Sequence, residues 1–160
     1  MPGMALSLAA LPPASETPVP GGLRVEPVID AAGLAAFAEP LGSAFGFSPD
    51  GIASVIAAFA DFAASGVEDE LHHWVGFDGR RPVAAASVLI RDGVAGLYNV
   101  STTPQARGRG FGAALSVTAL RGAAEAGAAT AILHASPSGL PIYQRLGFQT
   151  LTTVRAVETR

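Results

Sequence analysis

Residues 107–112 read Arg-Gly-Arg-Gly-Phe-Gly, and no other stretch limits the possible folds as much. Residues 94–102 before them are apolar and β-branched enough for a strand. Residues 110–126 after them form an alanine-rich run that Gly127 can stop, which predicts a helix. Three alternate glycines remove side chains where backbone must come close to a ligand. The helix that follows offers free N–H groups and the positive end of its dipole. Arg107 and Arg109 add charge-assisted donors. Together these make an anion site suited to a phosphate or pyrophosphate. A nucleoside-triphosphate loop would close on Gly-Lys-Ser/Thr, and every basic residue in this chain is arginine. A Rossmann site could use Gly108, Gly110 and Ala113, but it needs an acid at the end of the next strand. No Asp or Glu lies between Glu125 and Glu158. An arginine–glycine segment for nucleic acid would be disordered, whereas this one opens an apolar helix.

The rest of the chain supplies a sheet for this loop. Residues 1–11 alternate weakly, as a strand can, and residues 12–22 hold four prolines and two glycines. Residues 1–22 are therefore set apart as an N-terminal extension and linker, and residues 23–160 as the domain. A short strand over 23–28 leads to Asp30, which can cap a helix reaching about Glu39, where Pro40 and Gly42 stop it. Ser48-Pro49-Asp50 starts a second helix, with Ile52, Val55, Ile56, Phe59, Phe62 and Ala63 on one face and Gly66 as its end. Strands over 71–77, 82–90 and 94–102, joined at Asp78-Gly79 and Asp92-Gly93, form a meander. A strand follows over 130–135, then a short helix from Ser136-Pro137 to Arg145, a stop at Gly147 and a last strand over 148–158. The unit from 94 to 135 predicts a right-handed crossover between parallel strands. The fold class is α/β (α+β), a mixed sheet of about six or seven strands with helices on both faces.

Composition narrows the function classes. The chain has 160 residues, enough for one domain, and no cysteine, hence no disulfide, thiolate zinc site or cysteine nucleophile. Charged residues make up 14% and the net charge is −3, which argues against a nucleic-acid partner. No apolar run reaches the ~18 residues of a membrane span, and the opening residues lack a basic leader. The expectation is a soluble cytoplasmic protein with no membrane partner. Charge is split: residues 1–78 hold one arginine and ten acids, residues 79–160 nine arginines and three acids. Two ligands of opposite sign would suit that division, unless the halves interleave in space.

Arg107-x-x-Gly110-x-Gly112 resembles the Q/R-x-x-G-x-G/A motif of the GCN5-related N-acetyltransferase (GNAT) superfamily. Ile142-Tyr143-Gln144-Arg145-Leu146-Gly147-Phe148 resembles its Leu-Tyr-x-x-Leu-Gly-Phe segment. Asn99-Val100-Ser101-Thr102, with Pro104 after it, is similar to the strand beside the cofactor's pantetheine arm. The likeness is close over 94–148 and loose over 23–155. It implies a mostly antiparallel GNAT sheet and acetyl-CoA as cosubstrate, with no metal. Backbone N–H groups of Gly108, Arg109, Gly110, Phe111 and Gly112, flanked by Arg107 and Ala113, would bind the pyrophosphate. Val100, Ser101 and Thr102 would run beside the pantetheine as an added strand. Tyr143 would protonate the leaving thiolate, a phenol of pKa about 10 facing a thiol of about 8.5. The acceptor implied is a small-molecule or peptide amine, attacking the thioester directly because no cysteine could carry the acyl group.

Two positions depart from the superfamily pattern. Ser136 stands where many members have Asn, and Gly139 where they have Ala. No general base is evident. Glu68, Glu70, His72 and His73 are candidates, with the two histidines on opposite faces of one strand, while His134 reads as a hydrogen-bonded core residue. Phe37, Phe45, Phe47, Phe59, Phe62 and Trp74 concentrate in the first half, for core or acceptor pocket, and the acid excess there suits a cationic acceptor. Two other readings stand beside the enzyme: a non-catalytic acyl-CoA-binding or regulatory module, and the C-terminal part of a longer acetyltransferase. A homodimer fits any of them.

Overall fold

The computed structural model describes residues 1–13, 16, 19–62, 64–65 and 70–155. Seven strands form one sheet: β1 (Pro2–Ser7), β2 (Leu23–Pro27), β3 (Leu71–Asp78), β4 (Arg81–Arg91), β5 (Val94–Thr102), β6 (Thr130–His134) and β7 (Gln149–Thr153). Their order is β2-β3-β4-β5-β6-β1-β7. Every neighbouring pair is antiparallel except β5 and β6, which the helix α3 (Phe111–Glu125) connects as a parallel crossover. The meander closes as expected. Gly79 takes φ 62° between β3 and β4, and Asp92 and Gly93 take φ 50° and 76° between β4 and β5. Two consecutive positive φ values suit the right-handed twist of a tight hairpin.

Three further helices complete the layers: α1 (Ala31–Phe45), α2 (Pro49–Phe62) and α4 (Leu140–Arg145). Asp30 caps α1, its carboxylate accepting from Gly33 N–H at 2.7 Å. Ser48 Oγ accepts from Gly51 N–H at 3.2 Å at the start of α2. Alternate residues of β4 face opposite layers. Ala84, Ala86 and Val88 belong to the core under α3, with Phe111, Leu115 and Leu120, whereas Ala85 belongs to a smaller core with Phe37 and Leu41 of α1. A run of alanines lets both helices approach the sheet centre closely.

Four expectations are corrected. Pro40 does not stop α1; it lies buried inside the helix, which runs on to a left-handed cap at Gly46. Proline removes one hydrogen bond there, while Phe37, Leu41 and Gly42 around it are buried, and that burial outweighs the loss. Helix α4 begins at Leu140 rather than Ser136, because Ser136 Oγ accepts from Gly139 N–H at 3.1 Å and holds a turn first. Residues 1–22, set apart in the sequence, supply an interior strand of the sheet: β1 fills the slot between β6 and the edge strand β7, with Met4 and Leu6 buried. The last strand stops at Thr153, with Val154 and Arg155 outside it; the expected helix end at Gly66, residues 156–158 and Ala63 lie outside the described residues.

Candidate active site

Strands β5 and β6 pair only from Val94 to Gly96 and from Thr130 to Ile132. Beyond that β5 continues to Thr102 with β4 on its other side, and the edge facing β6 is left unpaired. This cleft is where a strand-like ligand can find free backbone N–H and C=O groups. The glycine loop stands at its far end, between Thr102 and α3. Gly108 and Gly110 hold φ 77° and 81°, which an L side chain adopts only under strain. Gly112 has another reason to be glycine: a Cβ there would sit 3.2 Å from Thr102 Oγ1, wedging α3 off β5.

The two arginines of the loop are already engaged. Arg107 Nε donates to Thr102 O at 3.2 Å, and Arg109 pairs with Asp78 while its guanidinium lies 4.3 Å over the Phe111 ring. They brace the loop, and their remaining N–H groups are what an anion could reach. Phe111 is a core side chain, so its backbone alone belongs to the loop. Val100 packs on the α3 core, while Ser101 is buried with no partner for its Oγ among the described residues.

Tyr143 is buried on α4, edge-on to Phe148 at 5.7 Å, and its hydroxyl bonds Ser116 on α3. That contact joins the helices that follow the two parting strands. Ser116 Oγ donates to Gly112 O at 2.8 Å. Burial raises the Tyr143 pKa above its ordinary value, with the Ser116 bond a smaller opposing influence. The phenol stays protonated, but its gap from a thiol widens. Gly139 is explained as well: an alanine Cβ would lie 3.0 Å from the Tyr143 ring.

The candidate bases separate. His73 faces α1 and α2, its ring 4.7 Å from Phe37 and 4.6 Å from Phe59. His72 faces the other layer beside Trp74, its buried Nε2 without a partner among the described residues. Burial, helped by the His72 charge, lowers the His73 pKa to about 4, so the ring is neutral at neutral pH. His73 bonds Ser87, and Ser87 bonds Asn99, a constellation the sequence reading passed over. Asn is depleted in strands, and that was the available signal. His134 is not a core residue. It is exposed on the open sheet face beside Gly3 and Thr152, because β6 turns Ala131 and Leu133 inward instead. Glu68 lies outside the described residues. Phe37 is fully buried, Phe45, Phe47 and Phe62 are exposed, and a cleft of about 350 Å³ brings Phe59, Phe62, His72, His73 and Trp74 together with Asp30. Among the described residues no cluster of three His, Asp or Glu could hold a metal, and no helix is long and apolar enough to cross a membrane.

Known proteins share this fold. Residues 46–158 match the acetyltransferase (GNAT) domain family. The uncharacterized N-acetyltransferase YjcF of Bacillus subtilis (strain 168) is 30% identical over 86 residues, 54% of this chain and 61% of that protein. A GCN5-related N-acetyltransferase from Kribbella flavida superposes with a TM-score of 0.68 at 25% identity, over 93% of this chain and 53% of that one. An acetyltransferase from Clostridium acetobutylicum, solved with acetyl-CoA, superposes with a TM-score of 0.67 at 18% identity, over 85% of this chain and 96% of that one. The chain thus spans little more than half the length of the first two relatives. On its sequence match and its sheet, this chain belongs to the GNAT acetyltransferase domain family.

Proposed function

We propose that this chain transfers an acetyl group from acetyl-CoA to a primary amine by direct attack on the thioester. One observation carries the reading: the positive-φ glycine loop at the head of α3 opens onto the unpaired edge of β5. The backbone from Gly108 to Gly112 binds the pyrophosphate, and Arg107 and Arg109 brace it. The backbone of Val100 and Thr102 pairs with the pantetheine amides, with Ser101 between them. The amine nitrogen attacks the carbonyl carbon, the C–N bond forms, the C–S bond breaks, and the nitrogen's proton passes to water. Tyr143 gives its proton to the departing thiolate. Because its pKa is raised, that transfer is coupled to C–S cleavage rather than following it. The reaction belongs in the cytoplasm, since a chain without cysteine draws no stability from an oxidising compartment. The acid excess of residues 1–78 favours a cationic acceptor.

A second reading, an acyl-CoA-binding module without turnover, is favoured by a β5 that carries no Asp or Glu. Calorimetric titration with acetyl-CoA, then release of free thiol on adding n-butylamine, spermidine, glucosamine or a short peptide, separates the two. The chain has no cysteine, so a thiol reagent reads CoA alone. We expect micromolar binding that Gly110→Glu abolishes, amine-dependent thiol release, and a fall of about 100-fold in kcat for Tyr143→Phe. Binding without release on any amine supports the module; no binding by the wild type overturns both readings.

A further inference from the structure

Three side chains on neighbouring strands form one polar chain across an otherwise apolar sheet face. Ser87 of β4, fully buried, lies directly opposite His73 of β3, and its Oγ is 2.8 Å from His73 Nδ1. Asn99 Nδ2 of β5 donates to the same Oγ at 3.0 Å. Ser87 can then pass its own hydrogen to Nδ1, and the bonds run in one direction from Asn99 to His73. Phe37 and Phe59 hold the imidazole, so the inner end of the chain is fixed.

The outer end is built differently. Ala85 pairs with Ser101 and Ser87 with Tyr98, so Asn99 and Val100 stand together opposite Ala86. This is a β-bulge, and Asn99 adopts φ 56° within it. Bulges re-aim side chains and gather beside active sites. Among non-glycine residues Asn tolerates the left-handed region best, and the bulge sets it there. With Nδ2 spent on Ser87, Oδ1 accepts no hydrogen bond among the described residues, nor does it count among the buried polar atoms without a partner. Asn99 is half-buried, on the stretch of β5 whose other edge is unpaired.

We propose that Asn99 positions the acceptor: Oδ1 accepts an N–H of the attacking amine and turns the nitrogen lone pair toward the thioester carbon, while Ser87 and His73 lock the amide against rotation. This rests on the acetyl-transfer reading and adds to it the group that meets the amine. A carboxamide oxygen takes no proton, so the role is alignment, and a missing carboxylate base is no obstacle to it. The contact needs at least one hydrogen on the nucleophilic nitrogen, which primary amines always carry.

The test uses the full chain with acetyl-CoA and the same four amines. Asn99→Gly removes the side chain and suits φ 56°, so its backbone is unstrained. We expect it to lower kcat/KM for the amine about tenfold or more, the worth of one hydrogen bond to a reacting group. KM for acetyl-CoA should stay within about twofold, because the cofactor is held by backbone and loop. Asn99→Asp restores an acceptor oxygen and should recover most of the loss. Ser87→Ala frees the amide to rotate and should act in the same sense as Asn99→Gly, but less strongly. Unchanged amine kinetics in Asn99→Gly, or equal losses for amine and acetyl-CoA, would overturn the assignment while leaving acetyl transfer intact. A wild type that binds acetyl-CoA but turns over none of the four amines defeats both.

Discussion

His73 shows how one side chain links packing to solution behaviour. Its ring is neutral in the fold because burial opposes the charge, and its pKa is lowered to about 4. In the unfolded chain the same group titrates near about 6.5. Between those values the unfolded state binds more protons, so stability is full above about pH 6.5 and drains away as pH falls toward 4. The shift corresponds to a ceiling of about 3 kcal/mol, and partial exposure of the ring reduces it to roughly 1–2 kcal/mol. His73→Asn lacks the titration. Urea unfolding at pH 7 and pH 4.5 should therefore show the wild type losing about 1–2 kcal/mol more than the variant; equal losses would contradict the buried-imidazole account. At this scale the sequence was legible where chemistry is local. Arg107, Gly110 and Tyr143 stood out because their motifs are contiguous. His72 and His73 were correctly assigned to opposite faces by strand parity. Asn99 and Ser87 were opaque as a pair, since twelve residues separate them and only a bulge joins them. His134 was misassigned because parity says which neighbours share a face but not which face is covered.

Helix α3 illustrates how elements settle their spacing. Its glycines are not interchangeable. Gly112 admits Thr102 of β5, and Gly122 admits the indole of Trp74 on β3, whose Cζ2 would lie 2.9 Å from a Cβ at that position. Alanine at 122 gains about 1 kcal/mol of helix propensity but must displace a rigid ring, which costs roughly 1–3 kcal/mol. Gly122→Ala should therefore destabilise by about 1 kcal/mol despite favouring the isolated helix. Trp74 is the sole tryptophan, so its emission should shift with the displacement. A variant more stable than the wild type, with unchanged emission, would mean that α3 has slack. Element boundaries were readable where a cap or a glycine marks them at Asp30, Gly127 and Gly147, but not at Ser136, which holds a turn ahead of α4. They were unreadable at Pro40, because a proline's local penalty says nothing about the apolar contacts that outweigh it.

For the whole molecule, β1 is the strand on which closure depends. Among the described residues it is the only strand that β7 pairs with, and β6 has three paired residues on its other side. Met1 N donates to Val154 O at 2.6 Å, fastening the two ends together. Removing residues 1–10 should leave two bare edges beside the cleft. We expect oligomers or aggregation in gel filtration, and rescue by a synthetic peptide of residues 1–10. A monomeric truncation that still binds acetyl-CoA would show that the slot is dispensable. Sheet class and crossover were legible from element order, but this slot was not. Nothing in a weak alternation over residues 1–11 names partners more than 120 positions away.

The β1 slot also sets a timetable. A ribosome makes residues 2–7 long before residues 149–153, and the earlier strand must wait for the two later ones that flank it. Chains with such distant pairings fold slowly, because a large loop must close before any contact compensates. Here the meander from β3 to β5 can assemble before β6 and β7 are made, but the β1 slot cannot. The nascent protein holds β1 in reserve until β6 and β7 have emerged.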